Sequence, residues 1–230
     1  MESLISARNI EKKFNKNTIL KKIDFDINKG EVIALVGPNG SGKTTLINIL
    51  LGILKADKGE LKINIDNYKK HIGVQLQSTP FFEGYTVRDN ILMFSALYDI
   101  KITDENINDM LNKYSLNAKT LAIKLSGGEQ KKLAIMIATM QNPDLLIFDE
   151  PTASLDPRER YNVKNMIKEL AYNNKTILFT SHDLEEVEDI ADRIVFLYKG
   201  EILESGSKDE LLSKYNFDNL EKLYLHITNY

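Results

Sequence analysis

Val32 to Val36 form an unbroken apolar run that leads straight into Gly37, Pro38, Asn39, Gly40, Ser41, Gly42, Lys43, Thr44 and Thr45. This stretch fits the spacing G-x-x-x-x-G-K-[ST], which commits the chain to a buried strand, a tight loop and a helix in that order. Gly40 and Gly42 free the backbone to turn successive N–H groups toward a bound phosphate, and the helix opening near Lys43 adds its positive dipole end. In such a loop Lys43 reaches the β- and γ-phosphates, and the hydroxyl of Thr44 meets Mg2+.

Around this loop, apolar runs of strand length alternate with helical periodicity, which predicts an α/β fold with a mostly parallel sheet covered on both faces. Val32 to Val36, Leu145 to Phe148 and residues 176–180 and 194–197 read as buried strands. Before Gly30 and over residues 61–65, apolar and polar residues alternate, predicting an antiparallel, half-exposed β subdomain. The expected plan is a single nucleotide-binding domain with its core at 1–81 and 140–215, a helical insertion at 82–139 and a short helical tail at 216–230. A chain of 230 residues, 43% of them hydrophobic, can bury a core of that size. Its net charge of −3 gives no reason to expect nucleic acid as a partner. The absence of cysteine excludes disulfides and thiolate metal sites and fits a reducing, cytoplasmic setting. The N-terminus has no signal-peptide core. No apolar stretch approaches the roughly 18 residues needed to cross a bilayer, so any membrane role is expected to run through a partner.

Two further segments carry chemistry. Leu145 to Phe148 end in Asp149 and Glu150, two carboxylates delivered to the carboxyl edge of the sheet, where ligands sit in open α/β folds. Successive strand residues point opposite ways, so the two acids are expected to differ in role, Asp149 holding Mg2+ and Glu150 acting as general base. In Leu125 to Gln130, Ser126 and Glu129 form a capping box that opens a helix. Gly127 and Gly128 weaken that helix by up to about 1 kcal/mol each relative to alanine. The expected reason for them is an anion brought close to bare N–H groups rather than packing.

With these motifs in hand, the chain closely resembles the ATP-binding subunit of an ATP-binding cassette (ABC) transporter over nearly its whole length. The phosphate loop, Gln77, LSGGEQ, LLIFDEP, Ser154-Leu155-Asp156 and His182 follow one another in family order. The resemblance implies ATP and Mg2+ as ligands and a second cassette as partner, stacked head to tail. Ser126, Gly127 and Gly128 would then contact the γ-phosphate held by the opposite protomer, and Asp156 would lie across the seam, against the simpler role of helix cap ahead of Pro157. It also implies that Gln77, with Gln75 as the neighbouring alternative, touches Mg2+ and the attacking water. His182 would bond the γ-phosphate and Phe14 would stack on adenine, where tyrosine is more frequent in the family.

A membrane-embedded transporter subunit is the other implied partner, seated in a groove that Pro80, Phe81, Phe82, Tyr85 and Val87 either line or merely support as core. That would place the chain peripherally on the inner face of the membrane. The stretch IGVQLQSTPFFEGYTVRDNI is most similar to exporter cassettes; the alternative is a soluble ABC-type ATPase serving an assembly scaffold. Lys12, Lys13, Lys16, Lys21 and Lys22 read as a solvated face, as do the acids Asp183, Glu185, Glu186, Glu188 and Asp189 on one helix. His71 and His226 read as exposed surface residues.

Overall fold

The computed structural model describes residues 2–77 and 81–228. Its strands are β1 (Ser3–Phe14), β2 (Asn17–Asn28), β3 (Val32–Val36), β4 (Lys58–Ile63), β5 (Ile72–Gln75), β6 (Leu145–Phe148), β7 (Thr176–Ser181), β8 (Arg193–Tyr198) and β9 (Glu201–Gly206). Its helices are α1 (Lys43–Leu50), α2 (Tyr68–His71), α3 (Val87–Leu97), α4 (Asp104–Tyr114), α5 (Gly127–Thr139), α6 (Pro157–Tyr172), α7 (Leu184–Ile190), α8 (Lys208–Tyr215) and α9 (Leu220–Ile227).

Two sheets result. The first is three-stranded and antiparallel, ordered β2-β1-β4. The second is six-stranded, ordered β5-β6-β7-β3-β8-β9, and parallel except for β9 at its edge. The continuous hydrophobicity of its central strands has a direct cause, because alternate side chains feed two different cores. Val32, Ala34 and Val36 pack on one face with Phe148, Phe179 and Phe196. Ile33 and Leu35 pack on the other with Ile147, Leu178 and Val195, in the layer shared with the antiparallel sheet.

Among the described residues between β5 and β6, three α-helices form, α3, α4 and α5, and their starts are written locally. Thr86 with Asp89, Thr103 with Asn106 and Ser126 with Glu129 form reciprocal capping boxes. Ile91, Ile107, Leu111 and Leu133 from this segment join the same core as the sheet face beneath it. Val87 is fully buried there, which removes it from any groove lining. Phe82 and Tyr85 are exposed, whereas Phe81 packs against the core and Pro80 lies outside the described residues.

Some strand bounds differ from expectation. β4 ends at Ile63, where its pairing with β1 runs out opposite Ile5, and does not reach Ile65. β5 is only four residues long and becomes a strand because β6 pairs along its whole length. The C-terminal α9 is not a loose appendage, since Leu220 and Leu223 are fully buried beside Phe196.

Candidate active site

β3 and β6 end at the same edge of the parallel sheet with β7 between them, so the loop after β3 and the acids after β6 meet in one cleft of about 420 Å3. Phe14, Asn39, Gly40, Gly42, Lys43, Thr44, Thr45, Gln77, Asp149 and Glu150 line it together with Ile19. The turn into α1 depends on Gly42, whose φ of 109° is in the left-handed region and whose added Cβ would sit 2.7 Å from a Leu20 methyl. Gly37, Pro38 and Ser41 do not line the cleft. The carbonyls of Gly37 and Pro38 accept from Lys43 Nζ at 2.8 and 3.3 Å, and Gly200 N–H donates to the Ser41 carbonyl.

Asp149 is buried and held from two sides. Its Oδ2 accepts from the Thr44 hydroxyl at 3.1 Å and its Oδ1 from the Thr180 hydroxyl at 2.7 Å. The same Thr180 oxygen accepts from the Glu150 N–H at 2.8 Å. Glu150 has a left-handed backbone, φ 49°, a conformation that costs a non-glycine residue about 1–3 kcal/mol and persists only where neighbours hold it. Lys131 supplies a second hold, donating from Nζ to the Glu150 carbonyl at 3.1 Å. Burial pulls the Lys131 ammonium below its ordinary pKa, against the attraction of Asp149 and Glu150. The Glu150 carboxylate stands 3.7 Å from Lys43 Nζ and 3.9 Å from His182 Nδ1.

The two glutamines separate cleanly. Gln77 is exposed at the cleft, whereas Gln75 is buried in β5, its amide donating to the carbonyls of Leu76 and Asp149. Phe14 is half exposed at the cleft mouth with Lys12 Nζ 5.4 Å from its ring centroid. Lys12 also pairs with Asp57 and Lys21 with Glu201, so these two lysines are engaged and not simply solvated.

Ser126, Gly127, Gly128 and Asp156 do not line the cleft. Ser126 and Gly127 are exposed at the N-terminus of α5. Gly128 is instead buried against α6, where an added Cβ would lie 2.6 Å from Glu159 Cγ, so packing does account for this glycine. Asp156 caps α6, its Oδ1 accepting from the N–H groups of Arg158 and Glu159 at 2.9 and 3.0 Å.

The acidic helix α7 also departs from expectation. Glu186 is buried, with Oε2 accepting from the hydroxyls of Thr152 at 2.9 Å and Ser181 at 2.8 Å. Burial pushes its pKa above the ordinary glutamate value, against those two hydrogen bonds. Asp183 and Glu188 pair with Arg160 and Lys208, and Asp189 with Lys164. Thr180 and Lys131 are residues that sequence reasoning passes over, and Glu186 is one that it reads as solvated. The available signal is weak: a threonine at the end of the apolar run 177–179 and a serine just before His182.

The family model for ABC transporter matches residues 20–153, which takes in the phosphate loop, the Ser126–Gly128 segment and both acids. The chain belongs to the ABC transporter family. This cassette is 32% identical over 231 residues to the linearmycin resistance ATP-binding protein LnrL of Bacillus subtilis, covering 96% of this chain and 74% of that one. It is 31% identical to the L-cystine transport system ATP-binding protein TcyN of Escherichia coli, over 92% of this chain and 93% of the other. A dimeric ATP-binding cassette solved in a post-hydrolysis state with ADP and Pi superposes with a TM-score of 0.77 at 26% identity, covering 88% of this chain and 98% of that one. The cassette is thus an ATP-binding subunit of an ABC transporter and an ATP hydrolase of that class. Among the described residues no helix is long and apolar enough to cross a membrane.

Proposed function

We propose that this cassette pairs head to tail with a second cassette, hydrolyses ATP at two composite sites, and powers export through a separate membrane subunit. One observation carries this reading: the phosphate loop, Asp149, Glu150 and Gln77 share one cleft, while Ser126 and Gly127 are exposed outside it. The site on one chain is therefore half a site, and the same exposed residues of a second copy or a paralogue supply the rest. The superposition on a dimeric cassette supports that arrangement.

Within the half-site, Lys43 and the N–H groups of residues 37–45 bind the triphosphate, and Phe14 stacks on the adenine. Thr44 and Asp149, with Gln77, offer hard oxygen donors that suit Mg2+ and would hold it together with water and phosphate oxygens. When bound, Mg2+ neutralises charge on the β- and γ-phosphate oxygens. Glu150 takes the proton of the attacking water, its direction fixed by Thr180 and Lys131, and His182 beside it donates to the γ-phosphate. Asp156 of each chain faces the seam while capping its own helix. ATP closes the pair because each triphosphate makes contacts to the opposite Ser126 and Gly127 that exist only in the closed state.

Docking to the membrane subunit at the cytoplasmic face is supported by an apolar recess of about 500 Å3 lined by Leu51, Ile53, Tyr68, Ile72, Val74 and Leu76. Ile53 on its wall is 67% exposed, and Phe82 and Tyr85 are exposed as a separate aromatic pair. Export is the direction favoured by likeness to a resistance ATP-binding protein.

The test is a pull-down of tagged Glu150→Gln protein with ATP from gently solubilised membranes. The expected outcome is a trapped cassette pair with a multi-span membrane protein. Recovery of soluble partners alone would replace the transporter reading with the scaffold ATPase, and co-recovery of a solute-binding protein would overturn export. Near-normal ATPase activity in Glu150→Gln would remove Glu150 as the base.

A further inference from the structure

The turn after β6 and the turn after β7 approach each other at one point, and a single buried carboxylate joins them. Thr152 lies two residues beyond Glu150 and four before Asp156, and Ser181 directly precedes His182. Both hydroxyls donate to Glu186 Oε2, at 2.9 and 2.8 Å, and the Ser181 oxygen also accepts from the Asp183 N–H at 3.0 Å. Glu186 is 2% exposed, and among the described residues its Oε1 meets no hydrogen-bond donor. The carboxylate thus satisfies two buried hydroxyls, which a hydrophobic side chain would leave without this acceptor, while its second oxygen stays unpaired at a cost in stability.

We propose that Glu186 is a positioning residue for ATP hydrolysis, a bridge that fixes the turn carrying Glu150 and Asp156 relative to the turn carrying His182. The geometry gives the bridge its use. Glu150 and His182 come from different strands and stand 3.9 Å apart across a small crevice whose walls include Thr152, Ser154 and Ser181. A hydroxyl at each wall tied to one oxygen makes the two turns move together. Burial raises the Glu186 pKa while the two donated hydrogen bonds favour the carboxylate, so a side chain that accepts both hydroxyls is the essential property. This inference rests on the assignment of Glu150 and His182 to hydrolysis.

The test is steady-state ATPase kinetics of the full chain. Glu186→Ala is expected to lower kcat about 10- to 100-fold, as small displacements of reacting groups do, with KM for ATP within about twofold. Glu186→Gln keeps an oxygen that accepts both hydroxyls and is expected to restore most of the rate, whereas Glu186→Met fills the volume without accepting and is expected to behave as alanine does. Thr152→Val and Ser181→Ala each break the bridge, so the double variant is expected to be no slower than the slower single one. This cycle decides the matter even if Glu186→Ala does not fold. Rates within twofold of wild type for Glu186→Met, or Thr152 and Ser181 effects that multiply independently, would overturn the inference. Glu150→Gln measured alongside separates the two failures: if it is inactive while the Glu186 variants run normally, only the bridge is wrong, and if it stays active the assignment of the base is wrong.

Discussion

Replacing Thr180 by valine removes one hydroxyl and keeps the shape of the side chain. That hydroxyl is fully buried, donates to Asp149 Oδ1 at 2.7 Å and accepts from the Glu150 N–H at 2.8 Å. A hydrogen bond to a charged group contributes about 1.5–3 kcal/mol, and a buried donor left without a partner costs about 1–3 kcal/mol. Asp149 keeps its Thr44 contact through the other oxygen, so the charge itself stays partly satisfied. The sum is a loss of about 2.5–6 kcal/mol, which for a chain of this length lowers the melting temperature by roughly 5–24 °C. Urea and thermal unfolding without nucleotide measure this directly. Thr180→Ser keeps the hydroxyl and is the control, expected to lose only about 1 kcal/mol for the missing methyl. ATPase activity should fall further in the valine variant than in the serine one, because the left-handed backbone of Glu150 loses one of its two holds. If valine and serine variants both unfold within about 1 kcal/mol of wild type, the hydroxyl is not what holds the two acids in place, and the reasoning fails.

Four other perturbations have defined outcomes. Gly128→Ala would place a methyl 2.6 Å from Glu159 Cγ and 2.9 Å from its Cβ, neither of them a free end, so urea unfolding should show a loss of about 1–3 kcal/mol. Gly84→Ala faces open space and should stay within about 0.5 kcal/mol. Ile53→Asp puts a charge on an exposed wall of the apolar recess and should release the chain from membranes while leaving its own ATPase rate unchanged, as read by fractionation and phosphate release. For Glu186 the folded pKa is raised, so its contribution to stability is fully present below the ordinary value of about 4.5 and is lost as pH rises through the folded value. Asp183 strengthens this shift and Lys164 opposes it. Glu186→Gln should therefore gain stability relative to wild type as pH climbs from about 4.5 toward neutrality, and a constant gap across urea titrations would count against the buried acid.

What the sequence made legible is chemistry fixed by local spacing. Gly42 adopts a conformation only glycine takes easily, and it stands one residue before the lysine that the loop needs, so both can be read from nine consecutive residues. The Ser126–Glu129 box is likewise a contact three residues apart. Thr180 escapes the same reading because its partners lie 31 and 30 residues away, joined only when β6 and β7 pair. Glu186 sits among Asp183, Glu185, Glu188 and Asp189 on a short acidic helix, and nothing local marks it as the one turned inward. The packing reason for Gly128 is hidden in the sequence because Glu159 arrives from another helix.

Those long-range contacts share a task that the local motifs cannot perform. In the proposed mechanism the motifs bring charged groups to a phosphate and Glu150 points at a water, while its backbone conformation is unfavourable for any residue but glycine. Thr180 holds its N–H and Lys131 holds its carbonyl, so the peptide groups on both sides of Glu150 are fixed by different elements. Lys131 lies on α5, one turn beyond the exposed Gly127. A force applied to the start of that helix therefore reaches the backbone of the catalytic acid through a single side chain, without passing through the phosphate loop. In the proposed head-to-tail pair the start of α5 is where the opposite nucleotide would bear, and each chain's Glu150 would then be tied to the triphosphate held by its partner as well as to its own.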